Sequence, residues 1–226
     1  LASICSVARI SIRSRQKNSH SGYELRSIPG EAFTSSPVGM PLGTRVEVRN
    51  LFATVPARRK FLRAEATEVG HCSEAVLRSA LVHPQVQFRL CHGRRVLLHL
   101  HAGSLEQRVE QLLGRRGEGP FLAISGEQDG VKVQAWMAPG KSALRQRNGL
   151  FIAVRRRVVS ERSLARIVQN CYGDGLPSKH YPLACLLVDP PHGTVDVNVH
   201  PQKSEVRFSD AQKVYASVRT VLESAR

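Results

Sequence analysis

Two stretches near opposite ends of the chain constrain its fold more than any other feature. Gly43–Arg63 reads GTRVEVRNLFATVPARRKFLR, and Val195–Phe208 reads VDVNVHPQKSEVRF. In the first, Val46 and Val48 alternate with charged residues, so Arg45–Arg49 reads as a half-buried strand. A turn follows, and Pro56 then takes a first helical position, where its missing N–H costs nothing. In the second, Val195, Val197 and Val199 point to one face of a strand, and Asp196, Asn198 and His200 to the other. Pro201 ends the regular pairing and Lys203 follows at the break. A chain that keeps strict alternation at both ends, with a proline-started helix between, must build sheets covered by helices.

The remaining elements agree. Ala8–Ser14 alternates and reads as a strand. The Ser-, Gly- and Pro-rich stretch 16–42 reads as a loop with a short strand near Tyr23–Leu25. Arg58, Arg59 and Lys60 fall on the short helix, and Glu65–Val82 reads as a longer amphipathic one. Val86–Leu100 reads as a hairpin turning at His92–Gly93. Ser104 is a good N-cap for a helix from Leu105 to about Leu113. Strands are expected at Phe121–Ser125, Val131–Met137, Leu150–Val154, Leu183–Val188 and Thr194–Val199, with a turn at Gln128–Gly130. Helices are expected from Ser160 to near Tyr172 and, capped by Ser209, to about Leu222. The pattern after residue 104 is that of an α/β (α+β) domain with one sheet and a helical layer. The part before it is a sheet fragment whose apolar face stays open unless another segment completes it.

With 226 residues, 42% of them hydrophobic, the chain can bury a real core in one large or two modest domains. No apolar run approaches the ~18 residues that span a membrane. The 33 basic residues against 18 acidic ones leave a formal charge of +15, which attracts polyanions. Aromatic residues make up only 5%, so contact with a duplex backbone fits this charge better than a base-stacking platform. Cys5, Cys72, Cys91, Cys171 and Cys185 are scattered, odd in number and without a CxxC, and read as reduced thiols. His99 and His101 share one side of a strand, but no third metal ligand accompanies them, so no metal site is expected. Glu65 and Glu68 read as helical surface residues, and no Ser–His–Asp arrangement follows from the spacing.

Gly43 and Thr44 open a strand after a loop. Their N–H groups and hydroxyl could hold a phosphate, though ordinary turn chemistry explains the dipeptide equally well. An isolated Lys203 is either a solvated side chain or a point charge for a phosphate. Arg155, Arg156 and Arg157, within VRRRVVSER, form a dense basic patch: a solvated loop or a phosphate contact.

The longer strings carry more. GTRVEVRNLFATVPARRKFL, followed by Ala66–Glu68, resembles the fourth nucleotide-binding motif of the MutL family of DNA mismatch repair proteins, relatives of gyrase B, the heat-shock-90 chaperones and the histidine kinases. Gly43, Thr44, Leu51, Phe52, Pro56, Arg58, Lys60 and Phe61 are among the matching positions. VDVNVHPQK resembles the signature that closes that family's second domain, and the start LASICSVARISIRSR resembles the stretch after its GFRGEA lid. The resemblance covers nearly the whole chain. It implies the C-terminal part of a Bergerat/GHKL-type ATPase sandwich over residues 1–102, and a ribosomal S5 domain 2-like domain over 103–226.

It further implies that Gly43 and Thr44 lie near the phosphates of ATP, and that Lys203 reaches its γ-phosphate. The arginines at 155–157 would border a positively charged groove for double-stranded DNA. Two departures stand out. Thr54 replaces a usual asparagine. The family string VNGRPVRD keeps an arginine at the position of Arg157 but has asparagine at that of Arg155. The catalytic glutamate, the magnesium-binding asparagine and the adenine-binding aspartate are expected to precede Leu1, so the chain alone is not expected to hydrolyse ATP.

The expected role is that of a mismatch-repair matchmaker, ATP-driven and acting with Mg2+ in the intact protein. Its partners would be a MutS-like recognition protein and a second MutL-type subunit, as homodimer or heterodimer. It would sit in the cytoplasm beside the nucleoid if bacterial and in the nucleus if eukaryotic. The alternative from a different class is a truncated DNA-binding or interaction module without an ATPase role. A gyrase-B-like part shares the two-domain plan, but PARRKFL and VNVHPQK favour MutL.

Overall fold

The computed structural model describes residues 2–196 and 206–224. They pack as two compact units, Leu1–Glu68 and Val69–Arg226.

In the first unit a short helix α1 (Ala2–Cys5) precedes four strands, β1 (Arg9–Arg15), β2 (Gly22–Ser27), β3 (Thr34–Val38) and β4 (Gly43–Arg49). They form an antiparallel sheet in the order β3-β2-β1-β4. Two strands thus stand where the sequence pattern predicts a loop with one. Pro37 fits because β3 lies at the sheet edge, where a missing N–H need not interrupt a ladder.

The register sets Ile12 between Leu25 and Val46, and Ile10 between Ser27 and Val48. These side chains share one face. Leu25, Val46 and Val48 remain 40–51% exposed on it, so the open apolar face expected of a sheet fragment is present. Beyond β4, Asn50 and Phe52 take left-handed backbone (φ 55° and 62°) and turn the chain into α2 (Pro56–Arg59), with its proline in the first turn.

Helix α3 (Glu65–Val82) lies mostly in the second unit. The hairpin β5 (Phe88–His92) and β6 (Arg95–Leu100) turns through Gly93 and Arg94, one residue later than expected. Helix α4 (Leu105–Leu113) starts from Ser104 in a full capping box with Gln107. The strands β7 (Leu122–Gln128), β8 (Val131–Met137), β9 (Leu150–Val154), β10 (Arg157–Val159) and β11 (Ala184–Asp189) form a sheet in the order β10-β9-β11-β8-β7. Only β9 and β11 are parallel.

Helix α5 (Arg162–Cys171) starts two residues after the expected Ser160 and is capped by Glu161. The carboxylate accepts from the Leu164 amide at 2.6 Å, a charge-assisted bond that a serine hydroxyl would make more weakly. After β12 (Val195–Asp196) and β13 (Arg207–Phe208), α6 (Ala211–Glu223) is capped by Asp210 rather than Ser209 for the same reason. The rest of the strand expected at Thr194–Val199 and the break at Pro201–Lys203 lie outside the described residues.

Alternation along the strands splits the core in two. Val133, Ile152, Val154 and Leu186 pack with Leu164 and Val168 of α5 and Val218 of α6. Trp136, Phe151, Ala153 and Cys185 pack on the other side with Val109 and Leu112 of α4. Leu77 and Leu81 of α3 and Leu98 and Leu100 of β6 join this second cluster, which is why they group with the second unit. Each fully buried leucine or phenylalanine contributes about 1.5–3 kcal/mol.

One buried charge holds the junction of these pieces. Arg108 of α4 is fully buried and donates to the carbonyl oxygens of Ala80, Pro84, Val86 and His101 at 2.7–3.2 Å. It closes the C-terminal end of α3 and both ends of the hairpin segment. Burial lowers its pKa.

Candidate nucleotide and nucleic-acid sites

Gly43 and Thr44 open β4 at the rim of a cleft of about 400 Å³, lined by Arg13 and the run Gly39–Arg45. Gly43 has φ 120°, backbone that an L side chain rarely adopts, so the glycine is required to turn the loop into the strand. The turn leaves Thr44 paired with Ser14 of β1, and their hydroxyl oxygens lie 2.9 Å apart. Both are exposed and share the face of Val46 and Val48. The loop before them is braced by Arg15, whose guanidinium donates to the Met40 carbonyl at 3.0 Å and to that of Ser19 at 3.1 Å. Met40 in turn packs so closely over Gly22 that a Cβ there would meet its Cγ at 2.8 Å.

The two arginines of this cleft are paired on the far face of the sheet, Arg13 with Glu24 at 2.9 Å and Arg45 with Glu47 at 2.7 Å. The cleft lining has hydroxyl and arginine donors and no carboxylate. A magnesium ion, which takes carboxylate or phosphate oxygens, does not fit those residues by themselves. Among the described residues no three His, Cys, Asp or Glu side chains come together as a metal-holding set. Ring centroids of His99 and His101 lie 4.3 Å apart, and His99 contacts Gln87 through its Nε2. Lys203 lies outside the described residues. Thr54 is exposed.

In the second unit, Val154 pairs with Arg157 and encloses a two-residue turn, Arg155–Arg156. Both have positive φ, 49° and 58°. This is the type I′ hairpin geometry, for which Asn-Gly is the favoured pair. The sequence thus forgoes the easiest turn residues and takes two arginines in strained backbone.

Each arginine of the turn is held from below. The Arg155 amide donates to the Val188 carbonyl at 3.1 Å, and its Nε to that of Pro190 at 3.1 Å, beside the Asp189 carboxylate at 3.8 Å. Arg156 is exposed and donates to the Val82 carbonyl at 3.3 Å. Arg157 is half-buried. The turn forms one wall of a cleft of about 820 Å³, whose other walls include Leu81 and Pro84 and the sheet residues Lys132 and Leu187. In register, Lys132 of β8 sits between Glu127 of β7 and Asp189 of β11, so charges alternate across this end of the sheet.

A signal that apolar periodicity passes over lies in RISIRSR and RVEVR. Arg9, Arg13 and Arg15 in the first, and Arg45 and Arg49 in the second, are an even number of residues apart and share a face as surely as alternating valines do. All five cysteines are free, and Cys185 is buried, which pushes its thiol pKa up. Among the described residues no helix is long and apolar enough to cross a membrane.

Comparison with known proteins agrees with this architecture. The sequence model described as "DNA mismatch repair protein, C-terminal domain" matches residues 109–226. The chain is 37% identical over 215 residues to the DNA mismatch repair protein MutL of Thiobacillus denitrificans, covering 95% of this chain and 36% of that protein. The chain therefore spans about a third of the length of the curated relatives it matches.

Among solved structures it is similar to the Aquifex aeolicus MutL ATPase domain complexed with ADP. The TM-score is 0.69 at 28% identity, over 84% of this chain and 70% of that one. The B-subunit of DNA gyrase from Myxococcus xanthus shares the fold alone, with a TM-score of 0.56 at 14% identity over 98% of this chain and 67% of that one. The mixed α/β architecture is that of the MutL and GHKL ATPase group. The chain belongs to the MutL family of DNA mismatch repair proteins.

Proposed function

We propose that this chain is the part of an ATP-driven mismatch-repair matchmaker that holds nucleotide phosphates and a DNA backbone. Residues 1–102 serve as the C-terminal part of a GHKL ATP-binding domain, and residues 103–226 as the S5 domain 2-like transducer. The observation that carries the reading is the Gly43–Thr44 strand opening, where a left-handed glycine sets Thr44 at the edge of a cleft whose lining has no carboxylate. A hydroxyl donor of this kind stabilises phosphate oxygens. The ADP in the similar Aquifex aeolicus domain supports the same ligand class.

Thr44 and Gly43 contact the phosphates of ATP, and Lys203 contacts the γ-phosphate as a point charge. The cleft offers no residue to activate water, so this segment positions nucleotide, and hydrolysis depends on a carboxylate base and Mg2+ held elsewhere in the intact protein. The open face of Ile12, Val46 and Val48 is where the helical layer of a complete ATP-binding domain packs. Arg155, Arg156 and Arg157 contact the backbone of double-stranded DNA. The intact protein works as a MutL-type dimer with a MutS-like recognition protein, in the cytoplasm or nucleus according to its host.

The test is complementation. A full-length protein carrying this segment should lower the mutation frequency of a bacterium lacking its own MutL. The same protein with Lys203→Ala should not. Equal mutation frequencies for both would count against the reading and favour a module without ATPase role.

A further inference from the structure

The face of the first sheet opposite its apolar side is an arginine lattice. In register, Arg13 of β1 lies between Glu24 of β2 and Arg45 of β4, Ser11 between Arg26 and Glu47, and Arg9 beside Arg49. With Arg15, six arginines share this face with two glutamates, a formal excess of four positive charges.

The glutamates brace the lattice. Glu24 is buried and bonded to Arg26 at 2.8 Å, Ser11 at 2.7 Å and Arg13 at 2.9 Å, which together hold its carboxyl down at about 2. Glu47 is bonded to Arg45 at 2.7 Å and Arg49 at 2.8 Å, and its pKa is lowered, chiefly by the Arg49 bond. An arginine has five N–H donors, and Arg13, Arg26, Arg45 and Arg49 each direct one or two of them to a glutamate. Arg26, Arg45 and Arg49 are 61–73% exposed, so their remaining donors face solvent. Arg9, Arg26, Glu47 and Arg49, with Ile10 and Ile28, line a small and largely apolar depression of about 140 Å³ beside the lattice.

We infer that this face binds the phosphodiester backbone of double-stranded nucleic acid through the exposed guanidiniums of Arg9, Arg26, Arg45 and Arg49. Neighbouring same-face residues stand about 6.6 Å apart along a strand and about 4.8 Å apart across strands, so several guanidiniums serve phosphates in succession. No aromatic or aliphatic side chain of β1, β2 or β4 points to this face, so contact is with backbone charge, without base stacking and without insertion into a lipid layer. The surface is distinct from the Arg155–Arg157 turn, and its test is independent of that turn.

The test is binding of the chain to a fluorescein-labelled 30-base-pair duplex over a range of salt concentrations. Substitution of Arg9, Arg26 and Arg49 by glutamine should weaken binding at least tenfold. It should also flatten the dependence of log affinity on log salt by about 0.9 for each phosphate no longer neutralised. An unchanged slope overturns the proposal. Arg157→Glu, measured alongside, reports on the turn separately.

Should the triple variant unfold, hydroxyphenylglyoxal labelling of the unaltered chain decides. Duplex should protect Arg26 and Arg49, and equal labelling with and without duplex overturns the proposal. Vesicles containing phosphatidylserine form the control. Loss of vesicle binding in the triple variant with duplex binding intact would assign the face to a membrane and overturn the proposal.

Discussion

The hydroxyl oxygens of Ser14 and Thr44 lie 2.9 Å apart across the β1–β4 pair, and Thr44 lines the cleft beside Gly43. Strand pairing fixes that relationship, in which one hydroxyl donates to the other and the second keeps its proton for a ligand. If Thr44 serves a nucleotide phosphate, Thr44→Val removes one hydrogen bond to a charged group, worth about 1.5–3 kcal/mol. Nucleotide affinity of the full-length protein should fall about tenfold or more, while its melting temperature stays within a degree or two, because Thr44 is exposed. Calorimetric titration with ADP measures the first and a thermal melt the second.

The β9–β10 turn carries a cost that can be removed. Arg156 has φ 58° and one long hydrogen bond, so Arg156→Gly should raise stability by about 0.5–1 kcal/mol in urea denaturation. The same change should weaken duplex binding if Arg156 contacts DNA. Stability and affinity moving in opposite directions would mark the turn as strained for function.

Arg108 should be among the least replaceable residues of the second unit. Arg108→Met fits the space but strips a donor from four carbonyls. Those of Ala80, Pro84 and His101 keep a bond to His83, Gly103 and Gln111, and that of Val86 loses the guanidinium at 2.7 Å. A drop of about 3 kcal/mol or more is expected in chemical denaturation. Arg108→Lys should recover little of it, since a single ammonium cannot reach carbonyls on several sides.

Glu24 sets an acid limit on the first unit. Its carboxyl is held at about 2, mainly by Arg26, then Ser11 and Arg13, against 4.5 when unperturbed. The unfolded chain therefore takes up this proton first, so the stabilisation is complete above pH 4.5 and is lost as pH falls towards 2. Denaturation midpoints of the first unit's signal should drop across that window. With Glu24→Gln the drop should shrink, and an unaltered profile would mean that other carboxylates set the limit.

Much of this fold is legible in the sequence, wherever one physical signal dominates. Helix α3 and strands β8 and β9 fall where their periodicity puts them, and Ser104 caps α4 because Gln107 completes its box. Sequence and structure part where two signals compete. Asp210 displaces Ser209 as the cap of α6, and Glu161 caps α5 after Ser160, because a carboxylate is the stronger acceptor. Strand β3 is hidden by Pro37, which disfavours a central strand but not an edge. The end of β9 reads as a patch of charge, while its backbone demands a turn better suited to Asn-Gly. The Gly43–Thr44 motif is readable as a phosphate contact only through its longer string. Its partner Ser14, thirty residues away, can be named only once the register of β1 and β4 is known.

The central claim is that this chain supplies phosphate contacts to an ATPase. The most direct measurement is steady-state ATP turnover by the full-length protein with Lys203→Ala beside the unaltered protein. Removing a charge-assisted hydrogen bond to a phosphate, about 1.5–3 kcal/mol, predicts turnover at least tenfold lower in the variant. Equal turnover in the two proteins would contradict the account.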